Sequence, residues 1–435
     1  MDWYVFLAAF LIALLILLFA RVPVAYAMLG IGVLGALVTF GSFNAALNQV
    51  VLSISSSVTS FTFTAIPLFI LMGELLFRTK VAQEALGEIA LVLNRMPGRL
   101  AMVAVGGGAM FGLLSGSTLA NTALFGRTLL PEMEEKGYDQ RLAVGSIMAS
   151  GGLAMILPPS ALAILWGGIA EVPIGPLLIA GIIPGLMMSV GYMIVVTLKR
   201  KGVPEEETPP KRGFAEIVRS GVRHALGPGI IIAIVLGLIF FGIATPTESA
   251  AVGAMATLVL GLAMRRMTLR IIWDSAVGTL RTSTVIFIIV LGSNLYSQLM
   301  STTGATRGLV KAVTANITSG PVLLLVLMLI LLVLGALIDQ VSIMMVTAPL
   351  FMPLVAQFGW DPVWFSMLLL INLQIAQTTP PFGMSLFVMK GVAPHLTLPT
   401  LYKSVLPWVT SDSTVILICA IFPSLVLVLP RLMAG

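Results

Sequence analysis

Small polar residues interrupt two long apolar segments in the first half of this chain. The first interruption spans residues 115–118 and is followed by Asn121, and the second spans residues 157–160. In a membrane, a broken helix leaves backbone groups without partners, so a break persists only where protein covers it or where it lines a polar cavity. Paired breaks near the middle of the bilayer are a known way to build a substrate and ion site. The spacing therefore predicts the core of a transporter.

The hydroxyl groups and freed carbonyls of the first break are hard oxygen ligands that suit a sodium ion. Coupling to protons usually requires an ionisable side chain at membrane depth, and the first break has none. A simpler interpretation is that its serines only cap two short helices. We favour the ion site because this break lies within an apolar run.

Similar breaks occur in the second half of the chain, around Asp339 and across residues 378–383. The Asp339 carboxylate follows a long apolar arm, and acids at membrane depth are functional candidates by default. It is predicted either to complete a cation site, which we favour, or to cap the helix that begins at Gln340. Each proline pair removes two backbone donors, and the helix that starts after it can direct its positive end at an anionic group.

These patterns give two sets of candidate residues. The candidate sodium ligands are Ser117, Thr118, Gly335, Asp339, Ser342, Thr378 and Thr379. The candidate substrate-binding residues are Ser115, Gly116, Ser117, Asn121, Pro158, Pro159, Ser160, Thr379, Pro380 and Pro381. The alternative for the proline pairs is a kink that is tolerated for packing, but its recurrence in both halves favours a functional role.

The elements that position these breaks are membrane helices. Of the 435 residues, 58% are hydrophobic and 10% charged, and the mean hydropathy is +1.07, which indicates a multi-pass protein of the lipid bilayer. The chain has a formal charge of +6, and its basic residues lie in short clusters between apolar runs. This arrangement fits membrane topology and argues against nucleic acid as a partner. Residues 3–20 resemble a signal peptide, but Asp2 replaces the usual basic start, so we interpret them as a membrane helix.

A polar stretch divides the chain into two halves. We predict a first repeat in residues 1–200, a cytoplasmic linker in residues 201–228 and a second repeat in residues 229–435. Each repeat contains scaffold helices, a surface arm, a hairpin and a broken helix. The predicted apolar segments are 3–20, 23–40, 58–77, 100–131, 142–170 and 174–198, followed by 229–243, 246–264, 284–300, 321–356, 361–394 and 405–430. The predicted amphipathic connectors are 80–95, 266–283 and 304–316.

Prolines, glycines and asparagines recur at a nearly constant spacing between the halves; Pro131 and Pro353, for example, are 222 positions apart. If the broken arms are re-entrant hairpins, each half crosses the membrane five times, and an odd number of crossings makes the repeats inverted. With both termini periplasmic, every lysine and arginine except Arg307, Lys311 and Arg431 falls on or near the cytoplasmic side. A topology in which each arm pair is a full double span keeps the same parity and stays open.

The chain lacks the residues of several other functional classes. Cys419 is its one cysteine, which excludes a thiolate metal site, and the separation of its two histidines, His224 and His395, excludes a two-histidine site on one helix face. No Walker motif is present, and no constellation of catalytic side chains lies at membrane depth, which predicts neither an enzyme nor an organic cofactor. Glu74 is predicted to pair with Arg78, and Glu248 to stabilise a helix start.

The ordered motifs resemble the large membrane subunit of TRAP (tripartite ATP-independent periplasmic) transporters. The resemblance covers essentially the whole chain and is carried by Ser115-Gly116-Ser117 with Asn121-Thr122, Leu157-Pro158-Pro159-Ser160, Asp339 ahead of Ala348-Pro349 and Pro353, and Thr379-Pro380-Pro381-Phe382-Gly383. It implies an all-α polytopic membrane protein of inverted repeats, with two re-entrant helical hairpins and two broken helices. It also implies an elevator mechanism and a relationship to divalent-anion:sodium symporters of the ion transporter superfamily type.

The same resemblance implies a sodium-driven importer of an organic acid, such as a C4-dicarboxylate or a sialic acid, in a bacterial inner membrane. Na+ would be the co-transported ion. The partners implied are a small four-helix membrane subunit, expected here as a separate chain, and a periplasmic binding protein that delivers the carboxylate substrate. The alternative is a stand-alone sodium- or proton-coupled carboxylate symporter or antiporter that needs no binding protein.

Overall fold

The computed structural model describes residues 3–20, 22–79, 98–115, 118–199, 214–335, 338–380 and 383–433. All regular secondary structure in these ranges is helical. The predictions made for Gly116, Ser117, Pro381 and the first surface arm at 80–95 concern residues outside the described ranges.

In the first half, the helices before the first break are α1 (Trp3–Phe19), α2 (Val24–Phe40), α3 (Phe43–Thr59), a short 3-10 helix (Phe61–Thr64) and α4 (Ala65–Arg78). They are followed by α5 (Arg99–Ser115), α6 (Thr118–Glu135), α7 (Gln140–Ile156), α8 (Ala161–Ile169), α9 (Ile174–Ala180) and α10 (Ile182–Leu198). The predicted first break therefore separates α5 from α6, and the second separates α7 from α8. Helices α7 and α8 meet at a bend of 45°.

In the second half, the helices before the hairpin are α11 (Phe214–Phe240), α12 (Pro246–Ala263), α13 (Leu269–Thr302) and α14 (Ala305–Asn316). They are followed by α15 (Gly320–Gly335), α16 (Gln340–Gln357), α17 (Pro362–Thr378), α18 (Met384–Val392), α19 (Leu398–Ile421) and α20 (Pro423–Met433). The break around Asp339 separates α15 from α16, and the break at residues 379–383 separates α17 from α18.

Some element bounds differ from the predicted segments. Helix α11 begins at Phe214, inside the stretch predicted as linker. The predicted connector 266–283 is not separate, because α13 continues through it for 34 residues. The predicted last span is divided between α19 and α20, which Pro423 begins after the α19 C-cap at Phe422.

Helix α3 was not predicted, because its sequence is rich in serine. Several of its hydroxyl groups donate to carbonyls of the same helix; Ser57 Oγ, for example, donates to the Ser53 carbonyl at 2.8 Å, which satisfies the hydroxyl within the helix. The sharp entry to this helix comes from Gly41, whose φ of +65° favours glycine, and from Ser42, whose side chain accepts from the Ala45 amide.

The helices pack in two groups. In the first group, α13 packs on α2, α3 and α4, and α12 packs on α4 and α11. In the second group, α7 packs on α5, α6, α10, α17 and α19, and α17 packs on α15, α16, α18 and α19. Helices α4 and α5, and helices α13 and α16, join the groups. Helices α5–α7 and α15–α18, which flank the predicted breaks, therefore belong to the second group, whereas α8 contacts α4 and α13 of the first group as well as α7, α16 and α17 of the second.

Small residues allow the hairpin helix α5 to lie directly on α7. A Cβ on Gly112 would stand 2.8 Å from Ala154 Cα, and a Cβ on Gly108 would meet the Ser150 side chain. The two pairs are each four residues apart along their helices, which is the small-xxx-small spacing of closely packed membrane helices. Gly108 and Gly112 of α5 therefore serve this packing.

Membrane spans are apparent by length and composition. Among the described residues, five helices (or consecutive helices taken together) are long and apolar enough to cross a bilayer, and six if the bent pair α7–α8 counts as one span. Shorter apolar helices include α1, α2, α15 and α17. The chain is therefore a multi-pass membrane protein.

Candidate functional site

The first hairpin is fixed to α7 through Asn121, near the start of α6. Asn121 is fully buried, and its Nδ2 donates to the Gly108 carbonyl at 3.0 Å and to the Ser150 carbonyl at 3.3 Å. One amide thus joins both arms of the hairpin to the broken span. This geometry places the predicted residue Asn121 at the point where three helices meet.

Two oxygen atoms at this point have no hydrogen-bond partner within the described part of the chain. They are Asn121 Oδ1 and Thr118 Oγ1, and both side chains are almost wholly buried. The neighbouring Thr122 hydroxyl donates to the Thr118 carbonyl at 3.1 Å, so its lone pairs stay available. Buried oxygens are normally satisfied, and two unsatisfied ones together fit a cation or water ligand set. The structure does not describe the side chain of the adjacent Ser115.

The break between α7 and α8 is buried and internally bonded. Pro158, Pro159 and Ser160 are all buried, and the Pro158–Pro159 peptide bond is cis. Ser160 caps α8: its Oγ accepts from the Ala163 amide at 3.2 Å and donates to the Met155 carbonyl at 2.6 Å. The local hydrogen bonds of Ser160 are those of a helix cap, and its hydroxyl already has a donor and an acceptor partner.

Asp339 caps the second arm of the other hairpin, α16. One carboxylate oxygen accepts from the Ser342 amide at 3.1 Å, and the other accepts a short hydrogen bond from the Ser342 hydroxyl. The capping role considered for Asp339 is therefore confirmed. The Asp339 side chain is exposed, whereas Ser342 is buried. A carboxylate that caps a helix still has free lone pairs, so capping and cation binding are compatible.

Gln340 brings the second hairpin to both broken spans. Its Nε2 donates to Gln377 Oε1 at 2.6 Å and lies 3.4 Å from the Leu373 carbonyl, both on α17. The same nitrogen lies 3.4 Å from Met155 Sδ, at the end of α7. The start of α16 and the ends of α7 and α17 therefore meet at one side chain.

The break after α17 is more accessible than the break after α7. Thr378 is buried, but Thr379 and Pro380 are half-buried. The Thr379 hydroxyl donates to the Ile375 carbonyl at 2.6 Å. Gly383 precedes α18 without a side-chain cap. The first amides of α18 are thus free of a capping hydroxyl, in contrast to those of α8.

Gly335, a predicted sodium ligand, ends α15 and is buried against α17. A Cβ there would collide with the Ala376 Cβ. The position therefore requires glycine for the packing of hairpin and broken span, which is a structural reason for this residue.

Three glutamines of the site were missed by reasoning from the sequence. Gln340 and Gln377 form the bridge described above. Gln374 is fully buried and packs directly against Gly152 of α7. Neither its amide nitrogen nor its amide oxygen has a hydrogen bond among the described residues. The signal available was the presence of amide side chains within an otherwise apolar helix, since buried polar groups at membrane depth require partners.

The family of this chain is settled by comparison with known proteins. Residues 11–425 match the model of the family described as "Tripartite ATP-independent periplasmic transporter, DctM component". The chain belongs to this family. The resemblance found in the hairpin and proline motifs is confirmed, and the chain is a large permease subunit of a TRAP transporter.

Several curated relatives are similar over nearly the whole chain. The isethionate TRAP transporter permease DctMQ of Oleidesulfovibrio alaskensis is 29% identical over 95% of this chain, which spans 64% of that longer protein. The sialic acid TRAP transporter large permease SiaM of Vibrio cholerae is 28% identical, with 96% of this chain and 97% of that protein covered. The C4-dicarboxylate TRAP transporter large permease DctM of Pseudomonas aeruginosa is 28% identical, with 92% and 93% covered.

Two solved structures share the fold. The Alcanivorax borkumensis YdaH transporter has a TM-score of 0.57 at 14% identity, with 89% of each chain covered. The Neisseria gonorrhoeae efflux pump MtrF has a TM-score of 0.58 at 14% identity, with 86% of this chain and 83% of MtrF covered. At this identity the likeness shows the fold alone.

Proposed function

We propose that this permease imports an organic acid together with sodium, after a periplasmic binding protein has delivered the acid. The observation that carries the proposal is the meeting of α16, α7 and α17 at Gln340, beside the exposed carboxylate of Asp339. Paired helix breaks that converge in this way are a known construction for an ion and substrate site.

The cation part of the proposal rests on oxygen atoms. At the second hairpin, Asp339 supplies a negative charge, and the hydroxyls of Thr378 and Thr379 donate to their own helix, which leaves their lone pairs free. At the first hairpin, Thr118 Oγ1 and Asn121 Oδ1 are buried without partners among the described residues. Hard oxygen donors of this kind suit Na+ better than a transition metal. We therefore propose one sodium region at each hairpin.

The substrate part rests on the chemistry shared by the relatives' substrates. Isethionate is a sulfonate, whereas sialic acid and the C4-dicarboxylates carry carboxylates, so an acidic group is common to them. The uncapped start of α18 faces the accessible break at Thr379 and Pro380, and a helix start favours an anion. Pro158, Pro159 and Ser160 are proposed to shape the opposite wall from within the protein.

An elevator movement is supported by the two packing groups. Most helices that carry the candidate site, α5–α7 and α15–α18, belong to the second group, while α2–α4 and α11–α13 form the first. We propose that the second group moves as a unit across the first, which stays in place. This assignment would carry the ions and the acid across the bilayer without opening a continuous pore.

Large TRAP permeases work with a small permease subunit and a periplasmic binding protein. The chain spans 64% of the length of the longer DctMQ relative. We propose that this permease also works with a small permease subunit and a periplasmic binding protein.

The test is uptake of a radiolabelled acid into proteoliposomes that contain both permease subunits, with the binding protein added outside. The binding protein is first used to identify its acid by calorimetry. We expect uptake to follow an inward sodium gradient and to require the binding protein. Undiminished uptake in sodium-free buffer would disprove sodium coupling, and uptake by the permease alone would favour a stand-alone symporter.

A further inference from the structure

A buried acid outside the candidate site lies on α19. Asp412 is 1% exposed and sits in the middle of this helix, which is long and apolar enough to cross the membrane. Asp412 Oδ1 has no hydrogen bond of standard geometry within the described ranges. Ionisable side chains at such depth are rare and usually functional.

The side chain that faces this carboxyl is Tyr192 of α10. Tyr192 is fully buried and packs edge-on against Trp408, with ring centroids 5.4 Å apart and an interplanar angle of 75°. Trp408 and Asp412 are four residues apart, so they lie on the same face of α19. Tyr192 Oη and Trp408 Nε1 also lack standard hydrogen-bond partners among the described residues. Trp408 Nε1 lies against Gly145 of α7, so the buried polar groups that meet between α10 and α19 are the Asp412 carboxyl and the Tyr192 hydroxyl.

No cationic side chain among the described residues faces this cluster. The charged groups of the elements packed against α19 lie at or near helix ends: Asp139 and Arg141 of α7, Lys199 of α10, Asp361 of α17, Lys390 of α18 and Arg431 of α20. On α19 itself, the other titratable side chains besides Cys419 are Tyr402 and Lys403, which lie in its first turns. Cys419 lies two turns after Asp412, where its carbonyl accepts from Trp364 Nε1 at 2.8 Å. An ionised Asp412 would therefore stand in a low-dielectric region without a counter-ion, which is strongly unfavourable.

We propose that Asp412 and Tyr192 form a proton-binding site in which the Asp412 carboxyl is held neutral, with the Tyr192 hydroxyl as its hydrogen-bond partner. The proton comes from water and binds a carboxylate oxygen, so no bond other than O–H forms or breaks. This site is separate from the candidate sodium ligands, and it does not depend on the proposed transport function.

The site also links protonation to the packing of α10 on α19. Beside it, Ser411 lies where a Cβ on Gly191 would stand, so the two helices are in close contact at this level. A groove of about 600 Å³ between the same helices is lined mainly by apolar residues, together with the hydroxyl residues Thr410, Ser411 and Thr414. Ionisation of Asp412 would demand hydration, and the groove between α10 and α19 would have to open to supply it.

The test is infrared difference spectroscopy of the full chain in lipid nanodiscs, with wild type and Asp412→Asn compared at neutral pH. We expect wild type to show the carbonyl band of a protonated carboxylic acid, and Asp412→Asn to lose it. Tyr192→Phe, which keeps the ring, should shift that band because its hydrogen-bond partner is removed. Identical carboxylic acid bands in wild type and Asp412→Asn would overturn the proposal.

A second measurement covers the case in which Asp412→Asn does not yield folded protein. The band of wild type and of Tyr192→Phe is then compared, and an unshifted band would overturn the proposal. Where both variants fold, the unfolding temperature of wild type should decline relative to Asp412→Asn as pH rises, because the native state holds a proton that the unfolded state releases. Unfolding temperatures of wild type and Asp412→Asn that change in parallel with pH would contradict the proposal. None of these readouts involves sodium or uptake, so a failure of the proposed function leaves them unaffected.

Discussion

The side-chain amide of Gln374 on α17 occupies the space that a Cβ on Gly152 of α7 would fill. The two broken spans therefore cross in contact at a glycine, one residue from the Gly151 position that faces Thr118 and Thr122 of the first hairpin. Gly152 and Gln374 are also 222 positions apart, which is the spacing of the predicted repeat. The contact joins two positions that the predicted repeat aligns with each other.

Gly152→Ala is expected to destabilise the protein. The added methyl group must displace a fully buried glutamine, and overpacking of this kind costs about 1–3 kcal/mol. Gln374→Ala in the same chain should recover most of that loss, because it removes the colliding amide. Thermal unfolding in detergent, monitored by tryptophan fluorescence, measures the four members of this double-mutant cycle.

The matched control for this substitution is Gly237→Ala on α11. A Cβ there would meet no atom within 4 Å, so alanine should be neutral or stabilise the helix by up to about 1 kcal/mol. Equal unfolding temperatures for Gly152→Ala and Gly237→Ala would contradict the close contact. Additive effects of Gly152→Ala and Gln374→Ala would show that Gln374 is not the side chain that the added methyl group displaces.

Substitutions of Asp339 separate its capping role from its proposed cation role. Asparagine is as good an N-cap as aspartate but has no charge. Asp339→Asn should therefore preserve stability while raising the sodium concentration for half-maximal uptake by about tenfold or more, a loss of about 1.4 kcal/mol in binding. Asp339→Ala should lose both the helix cap and the negative charge, and the loss of the cap should remove about 0.5–2 kcal/mol of stability. Uptake at varied sodium, together with unfolding of the same samples, measures the two effects.

Asp361→Asn is the control for that experiment. Asp361 caps α17 through the Val363 amide at 2.8 Å and the Trp364 amide at 3.2 Å, at the opposite end of α17 from the candidate site. Its neutral replacement should leave the sodium dependence unchanged. If Asp339→Asn also leaves it unchanged, Asp339 is a helix cap and no more.

The sequence predicts the fold best where glycine, proline or polar residues interrupt an apolar segment. The breaks at residues 115–118, 157–160 and around Asp339 were predictable because glycine, proline and hydroxyl residues are conspicuous in membrane helices. The pairing of Glu74 with Arg78, at 2.8 Å, and the capping box at Thr245 and Glu248 follow from local spacing alone.

Contacts between distant segments could not be predicted in the same way. Nothing near Gln374 in the sequence points to Gly152, because the contact depends on how two helices cross. The hydrogen bond between Gln340 and Gln377 likewise joins residues from two different breaks. The sequence also divides α13 wrongly, since the polar residues of its first turns suggested a connector while the helix simply continues.

The Gln340–Gln377 hydrogen bond is expected to couple the second hairpin to α17. Replacing either glutamine with leucine removes the bond, and replacing both should cost less than the two single losses combined. The expected coupling is about 0.5–1.5 kcal/mol, the usual net value of one hydrogen bond. Unfolding of wild type, both single variants and the double variant gives this coupling directly, and a value of zero would show that the bond does not hold the hairpin.

Asn121 offers a test of the first hairpin. Asn121→Ala removes the hydrogen bonds to the Gly108 and Ser150 carbonyls at 3.0 and 3.3 Å and should cost about 1–3 kcal/mol of stability. If Asn121 Oδ1 also contributes to a sodium region, the sodium concentration for half-maximal uptake should rise about tenfold.

Asn316→Ala provides the comparison, because Asn316 Nδ2 also donates to a backbone carbonyl, that of Ala312 at 2.8 Å, but from an exposed helix end. Water can replace a hydrogen bond at an exposed position, so this substitution should change stability by less than about 0.5 kcal/mol. It should leave the sodium dependence of uptake as in wild type. Loss of stability without a change in sodium dependence for Asn121→Ala would assign Asn121 to packing and place the first sodium region elsewhere. An equal loss for both asparagines would show that the contacts of Asn121 with α5 and α7 add nothing beyond an ordinary surface hydrogen bond.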